Sequence, residues 1–374
     1  MAIPFVESFR HSTNNRTTCD SVVVKVSDDT GIRGYGEGAP RPYVTGETPQ
    51  SMLNHLANEL WPAVAEREVP SVRSEGELGL LDGHIGPSIG GDHQASRAAL
   101  ELAILDCVLR RAGLSATQIL PPRRDKVIYS GVLTAGKLDK TLALGKQMKL
   151  IGLNQIKIKV GLGDDLARVR AIRELFGPEA SLRVDANGAW SYEEAKQMLE
   201  DLAALQIAAV EQPLRRGPVA ELRQLHATSP LPLVVDESLV TMDDAEALIA
   251  ERAADYFNIR VSKCGGLHRS LELARRATEA GIKVQVGSQA GETAILSAAG
   301  RLLAAAVEDL RFAEGSYGTL LLTEDVSFEA VRFGHRGLAR PMRGPGLGVT
   351  VLEERLTAYA RSVLELGRDG PLRS

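Results

Sequence analysis

The alternation of apolar and polar positions changes character twice along the chain. Between Ser21 and Gly38 apolar residues alternate around Asp28-Asp29-Thr30-Gly31, with Val22, Val24 and Val26 before the turn and Ile32 and Tyr35 after it. That pattern predicts a β-hairpin. From Thr48 to about Leu114 the period lengthens: Met52, Leu56 and Leu60 recur at four-residue spacing, and Ala98 to Leu109 is a nearly continuous apolar stretch in which Asp106 stands out. Helices are expected there, so the first third reads as α+β.

After Arg124, short β-rich runs alternate with amphipathic helical runs. The β-rich runs are Lys126 to Val132, Gln155 to Val160, Ser181 to Val184, Ala208 to Val210, Leu231 to Val235, Tyr256 to Val261, Ile282 to Val286 and Leu310 to Ala313. Ser191 with Glu194, and Thr241 with Asp244, have the spacing of helix-starting capping boxes. After Gln289 the chain stays apolar through Val307, a helix with few stop signals. Alternating strands and helices imply a parallel sheet, and eight units fit a barrel better than an open doubly wound sheet. Val331 to Val351 reads as strands broken by Gly344, Pro345, Gly346 and Gly348, glycines of turns because no Lys-Ser/Thr and no helix follow as a phosphate loop requires. The expected organisation is an α+β region over 1–124, a (β/α) barrel over 125–330 and a C-terminal segment over 331–374 that packs back on the first region.

Composition narrows the field of functions. The 374 residues suit two domains or one large barrel with an addition, and 44% hydrophobic with 25% charged content is that of an ordinary globular chain. A small stapled scaffold and a disordered chain are excluded. Lys and Arg number 44 against 48 Asp and Glu, a net charge of −4, so no global field favours nucleic acid or an anionic membrane. The expected partner is a small molecule held by local charge. Cys19, Cys107 and Cys264 are far apart and read as unpaired thiols. Met1 to His11 lacks a basic stretch followed by a long apolar run, and Arg301 interrupts the most apolar later segment. A soluble cytoplasmic protein is expected.

In a parallel barrel the loops open on one cavity at the carboxyl ends of the strands, which is where chemistry is expected. Asp185, Glu211 and Asp236 end the third, fourth and fifth runs, each directly after a valine and each about one strand-helix unit after the last. Each could cap the helix after its strand. Together, three like charges on one rim need a cation, and oxygen-only ligation suits Mg²⁺ or Mn²⁺. On the second run Lys157 and Lys159 alternate inward between Ile156, Ile158 and Val160. A barrel interior disfavours their protonated form, which makes Lys159, nearer the rim, a general base, while Lys157 orients the metal ligands or keeps Lys159 depressed. The bland alternative is a solvated charged strand edge. On the sixth run strict alternation groups Ser262 with Asn258 and Arg260, so Lys263 enters the cavity only if the pleat breaks. The second and sixth strands of a closed barrel are opposed, so Lys159 and Lys263 would approach a substrate from two faces. Such a set suits removal of a proton next to a carboxylate.

Lys157-Ile158-Lys159, Asp185-Ala186-Asn187, Glu211-Gln212-Pro213, Asp236-Glu237-Ser238 and Lys263-Cys264-Gly265-Gly266, in this order, resemble the enolase superfamily, specifically the muconate lactonizing enzyme branch of the mandelate racemase-like proteins. Gly36-Glu37-Gly38, Thr45-Gly46-Glu47 and Gly344-Pro345-Gly346-Leu347-Gly348 extend the resemblance over nearly the whole chain. It implies a TIM-type modified (β/α)7β barrel with an N-terminal α+β capping domain. It further implies Lys159 and Lys263 as an acid/base pair, Asn187 in support, Mg²⁺ on Asp185, Glu211 and Asp236, and a homo-oligomer. Loops at His11 to Thr18 and Arg41 to Glu47 would touch the substrate, with Arg16, Arg41 and Tyr43 as candidates.

The eighth strand departs from named relatives. Cycloisomerases of the branch resemble one another in a Glu-Leu-Phe-Gly-Pro there, and dipeptide epimerases in an Asp-x-Asp, whereas this chain has Gly315-Ser316-Tyr317-Gly318 after Glu314. Ser288, Gln289 and Glu292 on the seventh strand, and Glu314, are polar candidates for substrate contact. The expectation is a metal-dependent isomerase: racemase, epimerase or cycloisomerase. Its rivals are a lyase, in which Lys263 stays cationic through a dehydration or an o-succinylbenzoate synthase-like elimination, a metal-dependent aldolase on the same barrel, and a non-catalytic metal-stabilised scaffold.

Overall fold

The computed structural model describes residues 1–11, 14–86, 93–134, 136–367 and 370–371. Two antiparallel hairpins open the chain, β1 (Pro4–His11) with β2 (Asn14–Thr18) and β3 (Val22–Ser27) with β4 (Arg33–Gly38). The second is the hairpin read from the alternation. Asp28 Oδ1 closes its turn by accepting from the backbone N–H of Thr30 and of Ile32, each at 2.9 Å.

One face of β4 is built of glycine, and helix α1 (Gln94–Arg111) lies directly against it. A Cβ added at Gly34, Gly36 or Gly38 would come within 2.2, 2.0 and 2.2 Å of the carbonyl oxygens of Ala103, Ala99 and Ala95. The helix answers with Ala95, Ala99 and Ala103, four apart and therefore on one face. Strand and helix thus meet backbone to backbone. The side chains between the glycines point the other way: Tyr35 reaches Glu353, and Glu37 reaches Thr293 and Leu296 beyond the N-terminal region.

The alternating part of the chain forms β5 (Gly131–Leu133), α2 (Leu138–Leu150), β6 (Gln155–Lys159), α3 (Asp165–Phe176), β7 (Ser181–Asp185), α4 (Tyr192–Ala203), β8 (Ala209–Glu211) and α5 (Val219–Thr228). It continues as β9 (Leu233–Val235), α6 (Met242–Ala250), β10 (Tyr256–Ile259), α7 (Leu267–Glu279), β11 (Lys283–Val286), α8 (Ala294–Ala306) and β12 (Leu310–Ala313). Among the described residues β5 to β12 make one eight-stranded parallel sheet in sequence order. The sheet curls. Tyr129 bridges Ala313, and the Ser130 N–H donates to the Ala313 carbonyl at 2.8 Å, so the chain just before β5 meets the end of β12. All eight carboxyl ends therefore open toward one rim.

Both expected capping boxes are present, at Ser191 with Glu194 and at Thr241 with Asp244. The apolar stretch after Gln289 does carry a start signal, Thr293, whose hydroxyl accepts from Ile295 N–H. Two expectations need correction. The first run divides: Val127–Ile128 pairs antiparallel with Leu338–Ala339, and only Gly131–Leu133 joins the parallel sheet. The segment from 331 to 351 holds a single two-residue strand, Leu338–Ala339. Its backbone finds partners other than a ladder: Leu347 N–H donates to Asp106 Oδ1 at 2.8 Å, and Arg110 donates to the Val349 carbonyl at 2.6 Å, both acceptor and donor side chains belonging to α1. No described helix is long and apolar enough to cross a membrane.

The close seat of β4 on α1 gives a direct test. Gly36→Ala forces the helix away, and overpacking of this kind costs about 1–3 kcal/mol, so the thermal midpoint should fall by several degrees. Gly76→Ala, where an added Cβ meets nothing within 4 Å, should leave the midpoint unchanged in the same calorimetric scan.

Candidate active site

Ladder register builds the rim. In the parallel pairing Lys159 stands opposite Asp185, and Asp185 opposite Glu211, so three functional side chains sit side by side on β6, β7 and β8. Asp236 follows the last residue of β9, and all three acids are 0% exposed. Capping does not absorb them: α4 and α6 take their caps from Ser191 and Thr241. The chain turns sharply after each acid. Asn187 and Gln212 both hold positive φ, 47° and 39°, and Gln212 Oε1 accepts from Asp236 N–H at 2.9 Å, tying the end of β8 to that of β9. Such backbone positions are strained for residues with a side chain and are found where a site dictates them.

Cations alternate with these acids. Lys157 Nζ lies 3.1 Å from Asp185 Oδ2, 3.1 Å from Glu211 Oε1 and 2.6 Å from Glu314 Oε2. Lys159 Nζ donates to Asp185 Oδ2 at 2.6 Å and to Asn187 Oδ1 at 2.9 Å. Arg260 pairs with Asp236 and donates to Gln289 Oε1 at 3.0 Å. Lys263 Nζ has three acceptors, Asp236 O at 2.7 Å, Asp236 Oδ1 at 2.9 Å and Asn258 O at 2.8 Å. Glu314 is held from its other side by Arg183 at 2.7 Å.

These pairings decide the protonation states. Burial works against a charge on Lys157, but Glu211, Glu314 and Asp185 outweigh it and raise its pKa. Lys157 is a fixed cation: neighbouring carboxylates win over desolvation there. Burial likewise opposes ionisation of Asp185 and Asp236, and Lys159 with Lys157, and Arg260 with Lys263, overcome it. Glu211 is the exception. Burial and then Asp185 push it up to about 8, although Asn258 Nδ2 donates to it at 2.9 Å and Gln285 Nε2 at 2.7 Å.

Beside this cluster is an open cleft with ≈ 740 Å³ of empty space. Lys157, Lys159, Asn187, Ser288, Gln289 and Glu314 line it, and Arg16 and Tyr43 close it from the N-terminal region. Two candidates stand elsewhere. Arg41 is 1% exposed and donates to the carbonyls of Pro40 and Ala290, each at 2.6 Å, behind the wall. Lys263 is 0% exposed and lies under Asp236. β10 ends at Ile259, so Lys263 sits in the turn beyond it, where strand alternation no longer applies. Of the loop expected over His11 to Thr18, Ser12 and Thr13 lie outside the described residues.

Four cleft or rim residues carry more than the sequence reading assigned them. Arg260 supplies the charge opposite Asp236; alternation had grouped it inward with Asn258, and that signal was sufficient to find it. Glu237 accepts from Asn187 Nδ2 at 3.0 Å while its Oε2 is buried without a partner. Glu292 accepts from Gln289 N–H at 3.1 Å and Ser297 Oγ at 3.0 Å. Arg183, on β7, stacks 3.8 Å over the Phe312 ring. No spacing rule marks it.

The donors fit a hard divalent cation in kind. All are carboxylate oxygens, Glu211 is short of positive charge, and Glu237 has an unused buried oxygen. They are not gathered around one point: among the described residues no three His, Cys, Asp or Glu side chains form a ligand group, and basic side chains stand between the acids.

The model of enolase C-terminal domain-like proteins matches residues 142–355. The hydrophobic dipeptide epimerase of Enterococcus faecalis is 32% identical over 335 residues, 88% of this chain and 92% of that protein. Muconate cycloisomerase 1 of Pseudomonas putida is 30% identical over 351 residues, 91% and 90% of the two chains. Among solved structures, N-succinyl Arg/Lys racemase from Bacillus cereus superposes with a TM-score of 0.88 at 27% identity, covering 97% of this chain and 96% of that one. A dipeptide epimerase from E. faecalis complexed with Mg and L-Leu-L-Tyr gives 0.81 at 29%, covering 94% and 97%. The chain belongs to the enolase superfamily, in its mandelate racemase and muconate lactonizing enzyme branch, among isomerases.

Proposed function

We propose that this chain is a divalent-metal-dependent isomerase, a racemase, epimerase or cycloisomerase, that removes the α-proton of a small carboxylate. The barrel with a capping N-terminal domain is the scaffold this reading assumes. The observation that carries it is Lys159: a lysine in the cleft wall, hydrogen-bonded to the buried Asp185 and to Asn187, on the rim that also holds Glu211 and Asp236. Asp185, Glu211 and Asp236 would hold Mg²⁺, which when bound supplies positive charge to the enediolate. The epimerase from E. faecalis, complexed with Mg, supports that choice.

The protein's own groups have separable tasks. Lys159 takes the α-proton at Nζ, and Asn187 fixes the direction of that amine by accepting from it. Lys157, a permanent cation, favours the ionised form of Asp185 and only partly offsets the push of burial toward a neutral Glu211. Arg16, Tyr43, Ser288 and Gln289 contact the rest of the substrate, and Glu314 acts through Lys157 and Arg183. In a two-base course Lys263 returns the proton on the opposite face. One observation favours the lyase reading: Lys263 is fully buried with three acceptors, as suits a cation that stays charged through an elimination.

The decisive measurement is hydrogen exchange in D₂O across acid-sugar, amino-acid, dipeptide and muconate-like carboxylates with Mg²⁺. We expect α-deuterium incorporation without net elimination, lost with a chelator and restored by Mg²⁺. Lys159→Ala should lower exchange by about 10²–10⁴-fold in a folded protein; unchanged exchange would remove the mechanism, and elimination products would favour the lyase.

Glu292 gives a pH-dependent outcome. Burial, then the charge of Glu37, pushes it up to about 8, so the fold favours its neutral form. Its contribution to stability is complete below its ordinary value of 4.5 and is lost as pH rises through about 8. Melting temperature should therefore fall less between about pH 5 and 8.5 in Glu292→Gln than in the parent chain.

A further inference from the structure

Lys263 reaches its place on a turn, and that turn is gripped from outside the sheet. α7 begins immediately after it, and the residue at the helix's N-terminal boundary is Gly266, which has no side chain to cap with. The cap comes instead from the middle of α1, 166 residues earlier: Glu101 accepts from Leu267 N–H at 2.6 Å, and likewise from His268 N–H at 2.9 Å. α4, α6 and α8 are capped by their own preceding residues, Ser191, Thr241 and Thr293. The glycine makes room for the borrowed acid. A Cβ on Gly266, whose φ is +123°, would lie 2.2 Å from Glu101 Oε2, and one on Gly265 would lie 2.2 Å from Gln94 Oε1. On the other side of the lysine, Ala39 N–H donates to Ser262 Oγ at 2.9 Å.

The N-terminal region therefore touches residues 262, 265, 266, 267 and 268, on both sides of Lys263, while leaving Lys263 to Asp236 and Asn258. Helix N-termini attract carboxylates through their free N–H groups and dipole, so a buried acid here is a strong, directional tether. We propose that Glu101 is a positioning residue for Lys263: through the first N–H groups of α7 it fixes the turn that holds the amine beneath Asp236, the place from which Lys263 acts. The proposal rests on the reading of Lys159 and Lys263 as groups acting from two faces. A purely structural cap would affect both faces alike, and this one should affect one.

Alpha-hydrogen exchange in D₂O is measured separately for each substrate enantiomer. In Glu101→Gln, whose amide presents one acceptor oxygen where the carboxylate presents two, exchange of the enantiomer that Lys263→Ala also silences should drop by about 10–100-fold, since a displacement near 1 Å costs that much. Exchange of the other enantiomer should stay within about twofold, and the double variant should match Lys263→Ala alone. Equal losses for both enantiomers, no loss, or a further loss in the double variant would overturn the proposal. Should Glu101→Gln not fold, Gly266→Ala displaces the same carboxylate with its charge intact, and the same bias is expected. A parent chain that turns over substrate without α-exchange removes the functional reading instead; the cycle is then scored on kcat of that turnover, and Glu101→Gln must be silent in the Lys263→Ala background.

Discussion

Charge balance in a dry interior governs this molecule. Three carboxylates that are 0% exposed cannot be tolerated singly, because desolvation of each ion costs several kcal/mol before any pairing. The chain meets that demand by interleaving. Lys157 serves Asp185, Glu211 and Glu314, Arg260 serves Asp236, and Arg183 takes the far side of Glu314. Glu211 remains under-compensated, with burial and Asp185 both pushing toward its neutral form. A carboxylate still short of positive charge after Lys157, Lys159, Arg183, Arg260 and Lys263 have been placed around it is suited to a cation from outside.

The parallel sheet is what makes such interleaving feasible. In-register pairing sets Lys159, Asp185 and Glu211 abreast, one strand apart, so an amine and two carboxylates share one row without any loop having to aim them. Loops take over where the ladder ends. Asn187 and Gln212 accept a left-handed backbone so that the chain can leave the rim at once, and Gln212 couples two neighbouring strand ends through the Asp236 N–H. The N-terminal region contributes the opposite wall through Arg16 and Tyr43, which makes the cleft a product of two parts of the chain.

Much of this was legible in the residues. The eight-unit rhythm, the hairpin, two capping boxes and the three strand-end acids each have a local signature, and each follows from a short-range rule. Lys157 points inward as the alternation predicts, but the carboxylates that settle its charge, Asp185, Glu211 and Glu314, are distant in sequence and leave no local signature. Arg41 looked like a substrate contact from its loop, yet its guanidinium is spent on two carbonyls behind the wall. The segment from 331 to 351 read as strands broken by glycines, whereas its donors are satisfied by Asp106 and by loop carbonyls. In every case the missing information was the identity of a long-range partner.

The glycine face of β4 has a consequence for how this scaffold can diversify. Where two main chains touch without intervening side chains, no neighbouring residue can shrink or rotate to absorb a newcomer, so the hairpin behaves as a rigid lever hinged on the helix. Gly38 is followed within a few positions by Tyr43 at the cleft mouth. Variation in what the mouth admits must then come from exchanging the residues beyond the lever's end, leaving its bearing untouched.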